Sequence, residues 1–313
     1  MGSTHTASQG WADRGTTTLD STANAYLWKD GRRYQAYREG RYELPNDEIE
    51  QQREEIMHVL VMDILDHRLF LAPMSETPKK VLDIATGTGL WAIEMGDRYP
   101  DTSVLGLDLS PIQPTSVPPN VTFQIDDIED TWVHDDDYDY IHMREAAAYM
   151  VFTPKVIESA LAHLKPGGWF ELQEFHWFAE QDDGHIDPEN PINVFLDRLI
   201  EAARVEGINV PIIPTIGDIM KRAGFVDIEK KTFRVPYGTW STDTAERRRG
   251  ACFTVNADLL LPAYSGLLSN VGIKPDQCET LYDEIFKVIN DDSLHIFATY
   301  HVWYGRRPET SDR

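Results

Sequence analysis

The chain has 313 residues, 42% of them hydrophobic and 11% aromatic, an ordinary composition for a globular enzyme that can bury a substantial core. Its formal charge of −23 and pI near 4.7 set it against a phosphate backbone, which would repel it rather than release counterions, so no nucleic-acid partner is expected. No apolar run approaches the roughly 20 residues of a membrane span, no charged-then-apolar leader is present, and Cys252 and Cys278 make neither a metal motif nor a disulfide framework. No membrane and no metal are therefore expected, and a cytoplasmic location is.

Residues 1–20 are rich in Ser, Thr and Gly without apolar periodicity and are expected to form a disordered tail. A helical arm is expected over 21–75. Its first part, Tyr26 to Arg38, alternates aromatic and basic residues and suits a lid over a cofactor mouth; its second opens with Asn46 as helix cap and runs through an apolar stripe of Ile49, Ile56, Val59, Leu60, Ile64 and Leu65.

The most informative stretch follows. Val81-Leu82-Asp83-Ile84 reads as a buried strand, and Ala85-Thr86-Gly87-Thr88-Gly89 as a tight turn into a helix at Leu90. Gly87 to Ala92 also fits the dinucleotide fingerprint G-x-G-x-x-A, with Asp108 as the ribose acid. Asp83 separates the two readings. An anion at the end of the strand would repel a pyrophosphate, whereas it suits a ligand that carries an amino group. Val104 to Asp108 reads as the next strand, ending on an acid placed to accept ribose hydroxyls. Val121 to Ile128 follows, with Asp126 and Asp127 at its acidic end, then Tyr138 to Arg144 and the strand after Leu164-Lys165-Pro166-Gly167-Gly168-Trp169. Beyond it, residues 182–191 read as a polar loop and Val194 to Ala203 as a helix. Thr215 and Asp218 suggest a capping box before another helix, Phe225 to Val235 reads as a strand, Ser241 to Asp292 as helical, and Phe297 to Tyr304 as a last strand.

The Asp83-x-Ala85-x-Gly87-x-Gly89 pattern, the acid closing Gly106-Leu107-Asp108 and the LKPGGW run resemble the motifs of class I S-adenosylmethionine-dependent methyltransferases, with Ala85 standing where that family usually has glycine. The run "GRRYQAYREGRYELPNDEIEQQREEIMH" at 31–58 resembles the N-terminal signature of the fungal LaeA-type group, which holds both regulators of secondary metabolism and enzymes acting on small molecules. The resemblance implies an α/β, Rossmann-like sheet of seven strands with an antiparallel last strand. Residues 76–180 would be the S-adenosylmethionine-binding core, and 181–313 the last strands with helical cap insertions.

It also implies S-adenosyl-L-methionine as cofactor. The positions matched to its pocket are Tyr34, Asp83, Ala85, Thr86, Gly87, Gly89, Asp108, Leu109, Asp126, Asp127, Ile128, Met143 and Arg144. Asp127 is favoured over Asp126 for the adenine amino group; Tyr34 and Trp28 can cover the sulfonium by cation–π contact or serve as packing aromatics of the N-terminal arm. Three residues near the strand ends can act on an acceptor: His142 as base or as a hydrogen-bonded core histidine, Glu145 as pocket acid or as helix cap, and Glu174 as acceptor-orienting group or as sheet-edge carboxylate. Trp28, Tyr149 and His176 are candidate acceptor contacts. Arg247-Arg248-Arg249 reads as a solvated helix face or an anion site. The expected reaction is methylation of a small organic acceptor, most readily at oxygen; the alternative is a LaeA-type regulator, nuclear if so, that acts through protein partners.

Overall fold

The computed structural model describes residues 25–133, 137–182 and 187–309; the expected N-terminal tail, residues 134–136 and residues 183–186 of the polar loop lie outside them. The arm opens not with a helix but with a two-stranded antiparallel hairpin, β1 (Tyr26–Lys29) and β2 (Arg32–Gln35), closed at Asp30 and Gly31, both at positive φ. Alternation of large side chains has a period of two, which is a strand's period; basic residues between the aromatics do not turn it into a helical one.

Helix α1 (Glu48–Ile64) follows, capped by Asp47 rather than Asn46: the Asp47 carboxylate accepts from the Glu50 amide and holds Arg32 at 2.5 Å, while Asn46 donates to Ser110 Oγ. The face that α1 buries is only in part the one its apolar stripe indicates: Leu60, Ile64 and the adjoining Leu65 are buried as expected. Ile49 and Val59 are exposed, and Glu50, Arg53 and His58 are buried beside Met57, Leu60, Val61 and Ile64. Polar residues go inward here because they meet polar partners, as Arg53 meets Glu50 and Asn256.

The central sheet has seven strands. Parallel β3 (Lys80–Ile84), β4 (Ser103–Asp108), β5 (Val121–Ile125), β6 (Tyr138–Arg144) and β7 (Leu164–Gln181) are joined by β8 (Val226–Pro236) and β9 (Ile296–Arg306) in the order β5-β4-β3-β6-β7-β9-β8. β9 runs antiparallel to both of its neighbours, so the expected antiparallel last strand lies between β7 and β8. Successive residues of β3 point to opposite faces: Val81 joins the core that also contains α1 and Trp91, Leu82 the core under α3 (Thr153–His163) and α5 (Ile216–Ala223). Helix α2 (Leu90–Arg98) follows the glycine turn, whose Gly87 and Gly89 have φ of 57° and 82°.

Ala85 shares that left-handed conformation at φ 56°, which costs an L-residue with a Cβ about 1 kcal/mol. Ala85→Gly is accordingly expected to stabilise the protein by about 0.5 kcal/mol, the larger chain entropy of glycine offsetting the rest. Urea unfolding measures this, and a loss of stability would contradict the conformational account.

The cap consists of α4 (Pro191–Val205), α6 (Thr244–Ala263), the short α7 (Ser265–Ser269) and α8 (Pro275–Ile289). α5 starts without the expected capping box, because the Thr215 hydroxyl donates to the Ile212 carbonyl. Of the three consecutive arginines on α6, Arg248 and Arg249 both pair with Asp63 of α1, which fastens the arm to the cap. Both cysteines are free thiols, Cys278 buried and Cys252 half-buried. No helix among the described residues is long and apolar enough to cross a membrane.

Candidate functional site

A cleft of about 150 Å³ opens at the carboxyl ends of β3, β4 and β6, the side on which open α/β sheets bind ligands. The core supplies one wall and α1 the other. Asp83, Ala85, Thr86, Gly87, Asp108, Leu109, Asp126, Asp127, Ile128, His142, Arg144, Glu145 and Tyr149 all line it, so most of the candidates named from the sequence converge.

Asp83, at the end of β3, is buried and fully engaged: Oδ1 lies 2.7 Å from His142 Nδ1, and Oδ2 accepts from Thr86 Oγ1 at 2.5 Å. His142 stacks on Trp91 with ring centroids 3.9 Å apart and 6° between planes. Burial lowers its pKa and favours the neutral ring, and because a carboxylate only accepts, the proton is assigned to Nδ1. His142 thus serves first to fix Asp83; the ring is locked from two sides.

Asp108, at the end of β4, accepts from the Gly87 amide through Oδ2 at 2.8 Å and from the Ser110 amide through Oδ1 at 2.9 Å. Desolvation raises it to about 6. Asp127 is buried and already held, by Arg41 at 3.1 Å and by the Glu129 amide at 3.0 Å, whereas Asp126 is only half-buried at the rim. Arg144 donates to His58 Nδ1 at 2.9 Å, and His58 Nε2 meets Glu94 at 3.0 Å; burial and Arg144 lower His58 to about 4.

Glu145 lines the cleft at φ 53°, a conformation uncommon for a residue with a Cβ, and its buried Oε1 has no hydrogen-bond partner. Glu174 is turned away from the cleft, with Oε1 accepting from the amides of Ala146 and Ala147. Burial holds both carboxyls well above the usual range, joined at Glu174 by repulsion from Glu145, so both favour their protonated forms.

Other named residues stand elsewhere. Met143 points into the opposite core, as the alternation of β6 requires, and Gly89 begins α2 against the Phe123 ring. Tyr34 and Trp28 do not line the cleft; they belong to the hairpin, where Trp28 is 69% exposed. His176 lies further along β7, paired with Thr299 and next to the rings of Phe178 and His301.

The residues that the sequence reading missed come mainly from the arm. Arg41, Tyr42, Arg53, Glu54, Met57 and His58 line the cleft. Glu54 Oε2 accepts from the Thr88 amide at 3.0 Å, and a Cβ added at Gly87 would lie 2.6 Å from it. The signal was the i, i+3, i+4, i+7 spacing of Glu50, Arg53, Glu54, Met57 and His58, which puts them on one face of α1.

Desolvation raises Glu54 to about 8 and Glu171, which accepts from the Leu71 and Ala72 amides, to about 7. The folded chain therefore retains protons that the unfolded chain releases, and stability falls as pH rises towards these values. The depressed histidines act in the opposite sense, with effects confined below about pH 6.5. Between pH 6.5 and 8 the ligand-free protein is expected to lose about 2 kcal/mol, read as a falling Tm; a flat or rising Tm would refute these assignments.

The fold and the cleft agree with what comparison finds. A model of the methyltransferase domain matches residues 51–230. The methyltransferase pytC of Aspergillus terreus is 36% identical over 299 residues, covering 95% of this chain and 92% of that protein. The secondary metabolism regulator LAE1 of Cochliobolus heterostrophus is 30% identical, covering 91% and 96%. The protein-methionine methyltransferase laeA of Emericella nidulans is also 30% identical, covering 92% and 78%. Among solved structures, phosphoethanolamine N-methyltransferase 2 of Haemonchus contortus, in complex with S-adenosyl-L-methionine, aligns with a TM-score of 0.48 and 16% identity, covering 82% of this chain and 52% of that one. With a domain match across more than half its length and relatives aligned over nine-tenths of it, the chain belongs to the class I methyltransferases, in the group that includes pytC and the LaeA-type proteins.

Proposed function

We propose that the protein methylates a small organic acceptor at oxygen, as part of secondary metabolism. The methyl donor is S-adenosyl-L-methionine, which when bound supplies an electrophilic methyl group to a nucleophilic oxygen. The observation that carries the reading is the pair of strand-end carboxylates, buried Asp83 and half-buried Asp108, on either side of a glycine turn held at positive φ. Both carboxylates line the cleft, and further donors there would relieve the desolvation that raises Asp108. These residues fit the donor: Asp108 suits two ribose hydroxyls, Asp83 an amino group, and the acids ending β5 suit the adenine side.

Methyl transfer of this kind depends on alignment and exclusion of water more than on covalent catalysis. Tyr42, Met57 and Tyr149 close the cleft with apolar surface, and Glu145 stands where it can take the hydroxyl proton of the acceptor. Incubation with methyl-labelled donor and a fungal metabolite extract tests the proposal: a labelled, extractable small molecule is expected, and label found only on protein would overturn it. The cytoplasm is the compartment we assign to this activity.

A second reading is favoured by one feature. Trp28 and Tyr26 are exposed on a hairpin outside the cleft, a surface suited to a protein partner, and LAE1 is a regulator by name. A stable complex lost on Trp28→Ala, without turnover of any metabolite, would favour regulation over catalysis.

A further inference from the structure

Arg144 ends β6 in the wall of the cleft, half-buried, and among the described residues no carboxylate stands at ion-pair distance from it. Its hydrogen bond goes instead to His58 Nδ1, at 2.9 Å. His58 is bound in turn through Nε2 to Glu94 Oε1 at 3.0 Å, so one chain of contacts, Glu94–His58–Arg144, ties α2, α1 and β6 together. A carboxylate only accepts, which assigns the ring proton to Nε2 and leaves the Nδ1 lone pair for Arg144. Burial and Arg144 lower His58 to about 4, so the ring stays neutral at neutral pH. It therefore orients the guanidinium without cancelling its charge, as an Asp or Glu in its place would. One of five N–H groups is used, and a free edge remains for two parallel bonds to an anion.

The neighbourhood selects the anion. His142 pairs with Asp83 across β6 and β3, and Arg144 follows His142 by two residues on the same face of β6, roughly 7 Å further towards the mouth. An isolated phosphate there would meet the field of Asp83. An acidic and a basic group side by side instead complement a zwitterion whose amino and carboxyl groups share one carbon. We infer that Arg144 binds the α-carboxylate in the methionine half of the donor, and that His58, held by Glu94, is the positioning residue that aims it. The inference rests on the methyl-donor reading of the cleft and gives the arm a part in it that needs no contact with the ligand: α1 acts through a side chain of β6.

Calorimetric titration of the full chain with two ligands tests this. One is S-adenosylhomocysteine; the other is its decarboxylated analogue, which keeps the adenosine, the sulfur and the amine and lacks only the carboxylate. Wild-type protein is expected to bind S-adenosylhomocysteine at least about tenfold more tightly than the analogue. Arg144→Gln should erase that preference by weakening S-adenosylhomocysteine at least about tenfold while the analogue stays within about twofold. Arg144→Lys, which keeps a charge but loses the planar fork, should retain part of the preference. His58→Leu removes the acceptor that aims the guanidinium and should lower the preference several-fold, whereas His58→Asn, whose Oδ1 can stand where Nδ1 does, should restore most of it. The assignment of the carboxylate would be overturned by a wild-type protein that does not distinguish the two ligands, by an undiminished preference in Arg144→Gln, or by an equal loss of both ligands in that variant with circular dichroism unchanged. An undiminished preference in His58→Leu would overturn the positioning role. Failure of wild-type protein to bind either ligand would instead remove the methyl-donor reading itself.

Discussion

Asp108→Ala is expected to weaken S-adenosylhomocysteine at least about 100-fold, because two hydrogen bonds to a charged acceptor contribute about 1.5–3 kcal/mol each. The carboxylate also holds the Gly87 and Ser110 amides, so Ala loosens the turn as well as removing the acceptor. Asp108→Asn separates these effects: it keeps the shape and one acceptor oxygen, and it is expected to lose about tenfold. Since desolvation sets the carboxyl near 6, and ribose hydroxyls donate best to its ionised form, wild-type affinity should fall as pH drops below 6, and the Asn variant should not show that fall. Titration calorimetry from pH 5 to 8 measures both. Unchanged affinity in Asp108→Ala would remove the assignment of the cleft to this cofactor.

Glu145→Gln should reduce kcat by about 10²–10³-fold, the usual contribution of a positioned base, with S-adenosylhomocysteine affinity within twofold of wild type. Its oxygen Oε1 is buried, unpartnered and beside the cleft, and its backbone is held at φ 53°. Desolvation by burial keeps it protonated in the ligand-free state, against the opposing pull of Arg144 and Arg53. A cation brought into the cleft favours the carboxylate again. The rate should accordingly climb with pH up to the ionisation of Glu145, and the Gln variant should lose that dependence. An unaltered kcat would leave Glu145 a purely structural acid.

What the sequence made legible was the part governed by local chemistry. Apolar runs ending on Asp83 and Asp108 mark strands that must emerge at a polar place, and glycines at 87 and 89 mark a tight turn, so the half of the cleft proposed for the donor could be read residue by residue. The arm was harder to read. Its hairpin was obscured by the basic residues between its aromatics, and α1 buries Arg53 and His58, with Glu54 half-buried beside them, where an apolar stripe would put Ile49 and Val59. Those polar residues are inward because of partners contributed by the glycine turn, α2, β6 and α6; their shared helix face is visible in the spacing, whereas those distant partners are not. His142 was ambiguous for the same reason: only the fold shows that its Nδ1 holds Asp83 while its buried Nε2 has no partner.

The Glu54 contact with the Thr88 amide has a consequence for what counts as a whole site. A segment beginning at residue 76 would keep every recognisable motif, from the Asp83 turn to the LKPGGW run, yet it would lack the wall built by Tyr42, Arg53, Glu54, Met57 and His58. Its glycine turn would face bulk water, with Asp83 and Asp108 at the higher dielectric that weakens the attractions an ionic ligand exploits. Motif content and site integrity are therefore separate properties in this chain, and the boundary between them runs along one helix.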